Sequence, residues 1–374
     1  MTGETDFCRE AAKWFGLGEL LAEPQRVTGG YVHRMYRLET GSGAYALKLL
    51  NPTIMGRPDA MGNFRRAEAL ERILVRNDIS VISALEKNGQ KMQCLKGQYF
   101  YLFPWSEGKA LKWHEIREEH CRIAGRLLAG IHRIPWTDVK MPSESEGCLL
   151  DGQENIGQIE QAETDWDSCL ERAARECPEI AEALRESREL LNLAGREYHA
   201  ALKRVPQISC ICDGDMDCKN VLWIDDKPYI IDLECLDFGN PLTEMFQLAL
   251  SWAGGTVCEL ELGRFLAFLE AYEAERRRLT EQEMACGEWP VQGGIEWETL
   301  SGLGYGWLNW LAYNVRRALG EECGDKEEQE MGIRETLESI RRIRYYHTVR
   351  ADLVRAVKAW ETSLERPAFT GSKV

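Results

Sequence analysis

The sequence predicts an α+β protein of two lobes, a small antiparallel sheet followed by a larger, mostly helical part. Two alternating β-rich runs flank Thr40-Gly41-Ser42-Gly43, as is typical of a hairpin. After the break at Pro104-Trp105-Ser106-Glu107-Gly108, apolar residues recur mostly with helical spacing. A chain of 374 residues is also long for a single core. We therefore expect an N-terminal nucleotide-binding lobe at 1–103 and a C-terminal helical lobe at 104–374.

The elements of the first lobe follow from periodicity. In the second run of the hairpin, the faces of the strand alternate, so that Lys48 lies with Ala44 and Ala46, opposite Leu47 and Leu49. A lysine inside such a strand is unusual. The remaining predicted elements of this lobe are helices over about 6–22 and 64–76 and short strands near 80–85, 91–95 and 98–103.

The second lobe is predicted to be helical, apart from one β insertion. The helical pattern covers about 123–131, 265–272, 300–315 and 333–364. Between these helices lies the stretch ICDGDMDCKNVLW at 211–223, which is followed by a second apolar run that ends at Asp232.

Composition limits the function classes. The net charge of −15 disfavours nucleic acid and anionic membranes as partners, although an acidic surface also serves solubility. There is no run of eighteen apolar residues and no signal-peptide pattern at the N-terminus. Thirteen scattered cysteines then favour reduced thiols in a cytoplasmic protein. We expect this protein to be a monomer or a homodimer. Cys210, Cys212, Cys218 and Cys235 cluster without a CxxC pair, so we do not expect a structural zinc site there.

The acidic stretch leads into a predicted hairpin. Residues 221–224 and 229–231 are apolar, and 225–228 reads as the turn between them. If Ile224 pairs with Tyr229, then Val221 pairs with Asp232, because antiparallel strands run in opposite directions. Asn220 and Asp232 should then meet at the open end of the hairpin.

Two interpretations of this acidic stretch are open. One is a solvated β-turn. The other is a cation site, in which the amide oxygen of Asn220 and the carboxylate of Asp232 supply oxygen ligands of the kind that Mg²⁺ prefers. Asp215 stands five residues before Asn220, at a position where a carboxylate can accept or orient the proton of an attacking hydroxyl. The hairpin and the upstream Lys48 favour the cation site.

The spacing Asp-x4-Asn, a short hairpin and Asp resembles the catalytic loop and metal aspartate of protein-kinase-like enzymes. IDLECLDFGNP at 231–241 narrows the resemblance to the aminoglycoside phosphotransferase and choline kinase family. TGGYVHRMYRL at 28–38 looks like that family's nucleotide loop, and AYALKLL at 44–50 looks like its third strand. GRLLAGIH at 125–132 looks like the helix ahead of its catalytic loop. The resemblance covers most of residues 20–250 and implies a protein-kinase-like two-lobed fold.

The resemblance implies a role for each matching residue. Asp215 would be the catalytic base or the residue that orients the hydroxyl. Asn220 and Asp232 would hold Mg²⁺ on the phosphates of ATP, and Lys48 would pair with the α- and β-phosphates.

Further residues would complete the nucleotide site. A helix glutamate, Glu68 or, close behind it, Glu71, would hold Lys48. The predicted backbone contacts to the phosphates and the hinge against the adenine ring fall on Thr28, Gly29, Gly30, Phe103 and Trp105.

The chain departs from the family pattern at one position. Asp213 stands where the family has a histidine two residues before the catalytic aspartate. Two buried carboxylic acids side by side should raise one pKa. The departure leaves open a nucleotide-binding pseudokinase or sensor with little transfer activity.

The implied function is transfer of the γ-phosphoryl group of ATP, with Mg²⁺, to a hydroxyl of a small molecule. A cationic compound and a sugar are both compatible with the sequence. Lys219 either reaches the γ-phosphate or is a solvated lysine. Glu234 either faces the metal or hydrogen-bonds within the loop. The aromatic segment at 304–320 is either helix core or a substrate face formed by Trp307, Trp310, Tyr313 and Asn314.

Overall fold

The architecture is a five-stranded antiparallel sheet with flanking helices, followed by a mostly helical lobe. It is seen in a computed structural model that describes residues 2–27, 32–135, 164–280 and 294–364. The predicted fold class, an α+β protein with a small sheet lobe and a helical lobe, is confirmed. The fifth strand ends at Pro104, and the lobe boundary between 103 and 104 stays a prediction.

The sheet lobe is built on the predicted hairpin. Its elements are α1 (Thr2–Phe15), β1 (Gln25–Val27), β2 (Arg34–Thr40), β3 (Gly43–Leu49), α2 (Pro52–Met55), α3 (Ala60–Arg76), β4 (Gln93–Leu95) and β5 (Gln98–Pro104). The strand order is β1-β2-β3-β5-β4. Thr40 pairs with Gly43 at the turn of the hairpin, and Leu47 and Leu49 lie in one buried cluster with α1. Phe64 of α3 and Tyr101 lie in a separate buried cluster.

Two predictions for this lobe need correction. The first helix ends at Phe15 rather than at 22, because Gly16 and Gly18 adopt positive φ angles of 75° and 85°. The segment at 80–85 makes only a single bridge, from Val81 to Ile230. The helix predicted at 64–76 is present and begins earlier, at Ala60.

The helical lobe contains the catalytic-loop stretch between its helices. Its elements are β6 (Lys109–Ala110), α4 (Glu118–His132), α5 (Trp166–Glu176), α6 (Pro178–Arg204), β7 (Cys210–Cys212), β8 (Val221–Ile224), β9 (Lys227–Ile230), β10 (Asp237–Gly239), α7 (Pro241–Trp252), α8 (Leu262–Thr280), α9 (Trp297–Leu300), α10 (Trp307–Ala318) and α11 (Lys326–Leu364). Strand β7 pairs with β10, and β8 lies between β6 and β9. All four predicted helical regions are present.

The hairpin after the acidic stretch has a different register from the predicted one. Val221 pairs with Ile230, and Ile224 pairs with Lys227. The turn contains only Asp225 and Asp226, both with positive φ angles, 47° and 60°. Such a two-residue turn matches the twist of the strands better than a four-residue one, and Asp tolerates this backbone conformation. The observed register differs from the predicted one by two residues, so every side chain keeps its predicted face of the strand.

Two expectations from composition can be compared with the structure. None of the helices in the described ranges has the length and apolar character needed to cross a membrane. Within the same ranges, eleven cysteines are present, and none of them forms a disulfide.

We predict that Gly125→Ala lowers the free energy of unfolding by about 1–3 kcal/mol. A Cβ at Gly125 of α4 would lie 2.4 Å from the backbone oxygen of Phe268, so α4 and α8 would have to separate. Chemical denaturation measures the change. The matched control is Gly195→Ala in α6, where the Cβ would meet no atom within 4 Å. It should stabilise the helix by about 0.5–1 kcal/mol. Equal effects of the two substitutions would contradict this packing.

Candidate active site

The loop between β7 and β8 brings the predicted amide and carboxylate together. Residues Cys218–Asn220 form a single 3₁₀ turn that buries Asn220. The Asn220 Nδ2 donates to the backbone oxygen of Asp215 and to its Oδ2, both at 2.8 Å. These two bonds fix the amide, so that its oxygen is the atom that a cation would contact.

The carboxyl group of Asp215 is partly buried and lies among other charges. Burial raises its pKa to about 6, and the nearby Asp217 carboxylate adds to the rise. Lys219 Nζ lies 3.3 Å from Asp215 Oδ2 and opposes the rise. Asp217 accepts a hydrogen bond from Ser251 of α7. Lys219 therefore contacts the candidate catalytic carboxylate, while Asp217 is held by a helix.

Lys48 is a buried cation between two carboxylates. Its Nζ lies 2.5 Å from Asp232 Oδ1 and 2.7 Å from Glu234 Oε1, and the residue is only 4% exposed. Burial alone would lower the Lys48 pKa, but Glu234 and Asp232 together raise it above its usual value. Asp232 itself adopts a left-handed backbone, with φ 63°, which turns the chain directly after the hairpin. The sheet lobe and the loop of the helical lobe are thus joined through Lys48.

Glu234 is fixed by a second partner, His33, which the sequence did not indicate. The His33 Nδ1 accepts a hydrogen bond from the backbone N–H of Asn51 at 2.9 Å. The proton of a neutral His33 ring must therefore sit on Nε2, which lies 3.0 Å from Glu234 Oε2. Burial would raise the pKa of Glu234, but Lys48 and His33 lower it to about 2. Glu234 is therefore an ionised carboxylate that orients Lys48.

The two glutamates of α3 bind partners other than Lys48, which corrects the expectation from the sequence. Glu68 accepts hydrogen bonds from the backbone of Met92 at 2.9 Å and from the Tyr101 hydroxyl at 3.1 Å. Glu71 forms a buried ion pair with Lys91 at 2.8 Å. The buried ammonium of Lys48 already forms ion pairs with two carboxylates. Glu234 therefore has the role that the sequence analysis predicted for Glu68.

Asp213, at the position of the family's histidine, lies beneath the loop. It is 1% exposed, and its Oδ1 accepts a hydrogen bond from the backbone N–H of Asp215 at 3.2 Å. Burial and the neighbouring Glu244 raise its pKa well above the usual range. Its Oδ2 has no hydrogen-bond partner within the described part of the chain. Asp213 thus supports the loop through its Oδ1, and the expected rise in its pKa comes mainly from burial.

A hydrogen-bond network between α4 and α7 supports the same loop. Glu244 Oε1, at the start of α7, accepts a hydrogen bond from the backbone N–H of Gly214 at 2.6 Å. Its Oε2 lies 2.6 Å from Nε2 of His132, the last residue of α4. The other ring nitrogen of His132 contacts the Tyr272 hydroxyl at 2.8 Å. Although GRLLAGIH resembles the family, the sequence gave no partner for its histidine.

The remaining predicted nucleotide residues are placed as follows. Phe103 lies in β5 opposite Ala46, and the guanidinium of Arg37 covers the Trp105 ring at 4.8 Å. Thr28, Gly29 and Gly30 lie outside the described residues. Their contacts with a nucleotide stay predictions.

The aromatic segment is mainly part of the helix core. Asn314 is fully buried and bonds to the backbone of Trp310. Trp310 Nε1 donates to Glu335 of α11 at 3.0 Å, and Trp307 packs edge-on against Tyr346. The rings of Trp310 and Tyr313 lie 5.4 Å apart. These contacts agree with the helix-core interpretation for Asn314, Trp307 and Trp310.

Comparison with known families shows where the chain belongs. Residues 23–281 match the model of the phosphotransferase enzyme family, which is more than half of the chain. The chain belongs to the phosphotransferase enzyme family. Its match contains all four convergent residues of the candidate site, Lys48, Asp215, Asn220 and Asp232.

Solved structures of this phosphotransferase's fold extend over nearly the whole chain. A spectinomycin phosphotransferase in complex with ADP and spectinomycin has a TM-score of 0.61 at 15% identity and covers 95% of this chain and 98% of its own. A choline/ethanolamine kinase family protein from Mesorhizobium loti has a TM-score of 0.53 at 14% identity and covers 95% and 99%.

An amicoumacin kinase in complex with AMP-PNP, Ca²⁺ and Ami has a TM-score of 0.54 at 11% identity and covers 91% of this chain and 96% of its own. At these identities the likeness concerns the fold. No curated protein matches the sequence.

We predict that Lys48 is energetically coupled to Glu234 and not to Glu68. In a double-mutant cycle with Lys48→Met, the coupling free energy with Glu234→Gln should be on the order of 2 kcal/mol, because the two charges are in direct contact. The cycle with Glu68→Gln should be additive within about 0.5 kcal/mol. Urea denaturation of the five variants and the wild type measures both cycles. A larger coupling to Glu68 would restore the assignment made from sequence.

Proposed function

We propose that this phosphotransferase moves the γ-phosphoryl group of ATP, with Mg²⁺, to a hydroxyl group of a small molecule. The observation that carries the proposal is that Lys48 of the sheet lobe meets a group of polar side chains from residues 215–232. Asp215 is bonded to Asn220, and Lys48 is bonded to Asp232. A solvated acidic turn would have no use for a lysine buried against it.

The donor atoms fit a magnesium ion. Asn220 offers an amide oxygen and Asp232 a carboxylate, and Mg²⁺ binds such oxygen ligands together with phosphates and water. The side chain of Asp232 is 40% exposed, so that it can contact a ligand from solvent. Asn220 and Asp232 would hold the ion, which would neutralise charge on the phosphates when bound.

The other residues act by position and charge. Asp215 would accept or orient the proton of the acceptor hydroxyl, a role that suits a carboxylate held by Asn220 and Lys219. Lys48 would contact the phosphates of ATP, and Glu234 would keep that ammonium in place. No covalent intermediate on the protein is needed, because phosphoryl transfer depends mainly on positioning and electrostatic stabilisation.

The acceptor is proposed as a class rather than as one compound. The similar proteins include a spectinomycin phosphotransferase, an ethanolamine kinase and a choline/ethanolamine kinase family protein. Spectinomycin, ethanolamine and choline are small hydroxyl compounds that carry amines or ammonium groups. The net charge of −15 is compatible with a cationic acceptor. We therefore propose a small cationic alcohol or an amino sugar.

A second candidate function is a nucleotide-binding pseudokinase. The observation that favours it is Asp213, a buried acid in the position of the family's histidine, whose Oδ2 has no hydrogen-bond partner among the described residues. Binding without transfer would distinguish this candidate from the first.

We expect ADP release from ATP and Mg²⁺ in the presence of one acceptor from a panel of aminoglycosides, spectinomycin, choline, ethanolamine and hexosamines. Asp215→Asn should lower kcat at least about 100-fold, because it removes the proton acceptor. Glu39→Gln, a surface substitution on β2, is the control and should leave turnover unchanged. ATP binding without turnover on any acceptor would support the pseudokinase.

We also expect Mg²⁺ and ATP together to raise the melting temperature, because a ligand that binds only the native state stabilises it. Asp232→Asn should abolish the part of the rise that depends on Mg²⁺. The matched control is Asp226→Asn in the same hairpin, since both residues have positive φ angles that Asn tolerates. Differential scanning calorimetry with and without EDTA measures the shifts. An unchanged Mg²⁺ effect in Asp232→Asn would overturn the metal assignment.

A further inference from the structure

A buried cluster of metal-binding side chains lies directly beneath the catalytic loop. It contains two thiols and an imidazole, whose ligand atoms all lie within 4.8 Å of one another. Cys210 and Cys212 are alternate residues of β7, so their side chains share one face of the strand. That face meets His132 at the end of α4.

Two of the distances within the cluster are close to those of a tetrahedral zinc site. The Sγ atoms of Cys210 and Cys212 are 3.8 Å apart, and Zn–S bonds of about 2.3 Å at a tetrahedral angle place two sulfurs about 3.8 Å apart. The Sγ of Cys212 lies 3.9 Å from Nε2 of His132. The corresponding separation in a zinc site is about 3.6 Å. Small adjustments of the side chains would therefore suffice.

Glu244 is the candidate for a fourth ligand. Its Oε2 lies 2.6 Å from the same His132 nitrogen but is not one of the three mutually close ligand atoms. Its carboxylate would have to shift away from His132 for both residues to bind one ion. All four residues are nearly completely buried, with exposures of 0% for Cys210, 7% for Cys212, 1% for His132 and 7% for Glu244. Two cysteines, a histidine and a carboxylate are a ligand set suited to zinc.

The outer contacts also suit a metal site. The Nδ1 of His132 is bonded to the Tyr272 hydroxyl at 2.8 Å, which fixes the ring with Nε2 towards the thiols. Glu244 keeps its other oxygen on the backbone N–H of Gly214 at 2.6 Å. Ligands in zinc sites are commonly oriented by such second hydrogen bonds.

We propose that Cys210, Cys212, His132 and Glu244 form a closed structural site for one Zn²⁺ ion. Binding would release three protons, one from each thiol and the one between His132 and Glu244, so that the ion binds two thiolates, an imidazole and a carboxylate. The ion would join α4, β7 and α7 immediately before Asp215. The proposal does not rest on the phosphotransferase activity. It departs from our expectation from the sequence, which excluded zinc at these cysteines for lack of a CxxC pair, because His132 lies 80 positions before Cys212 and meets it only in the fold.

The test measures the metal itself. Protein expressed with added zinc and purified without chelators should contain about one zinc per chain by mass spectrometry. The double variant Cys210→Ser/Cys212→Ser should lose it. Cys121→Ser is the control, because Cys121 is an equally buried cysteine of α4, and it should keep the metal.

Replacement of zinc by Co²⁺ in the wild-type chain gives a second readout that needs no variant to fold. We expect the visible absorption of tetrahedral cobalt together with thiolate-to-metal charge-transfer bands. Less than about 0.1 zinc per chain and no such bands would overturn the proposal. Equal loss of metal in Cys121→Ser and the double variant, or none in either, would also overturn it.

Discussion

The buried ammonium of Lys48 is the constraint on which the candidate site depends. A lysine inside a β-strand costs free energy unless its charge is compensated, and here Asp232 and Glu234 supply the compensation from the other lobe. The ion pairs therefore join the sheet to the loop that carries the candidate metal ligands. Since both carboxylates contact one cation, their mutual repulsion is reduced. In the proposed reaction, phosphates would compete for Lys48 and the metal ion would compete for Asp232. The ion pair between Lys48 and Asp232 would then be replaced by one contact for each residue.

The residues that hold the loop carrying Asp215 differ from those of the family pattern. The histidine expected two residues before Asp215 is replaced by Asp213, which is buried and holds the Asp215 backbone. A second acid, Glu244, holds the backbone of Gly214 and is itself paired with His132. The loop thus has two buried acids beneath it. Burial raises the pKa of Asp213, whereas at Glu244 the hydrogen bond with His132 outweighs burial and lowers the pKa. This arrangement keeps a position for Asp215 without the missing histidine.

Local patterns predicted most of the fold, and long-range contacts accounted for what was missed. The β2–β3 hairpin, α3 and the face of Lys48 follow from alternation and helical spacing. The register of the second hairpin was wrong by two residues because left-handed backbone at Asp225 and Asp226 shortens the turn, which apolar runs alone do not reveal. The sequence analysis assigned Glu68 as the partner of Lys48, but in the structure the partner is Glu234. One sequence does not show which glutamate, from which lobe, contacts the lysine. For the same reason, the roles of His33 and His132 became visible only in three dimensions.

The most direct measurement is a crystal structure of the protein with AMP-PNP and Mg²⁺. The account predicts that Lys48 Nζ leaves Asp232 for a phosphate oxygen and stays bonded to Glu234, while Asn220 and Asp232 bind the metal ion through oxygen. A nucleotide that binds without a metal ion at Asn220 and Asp232, with the Lys48–Asp232 contact intact, would contradict the account.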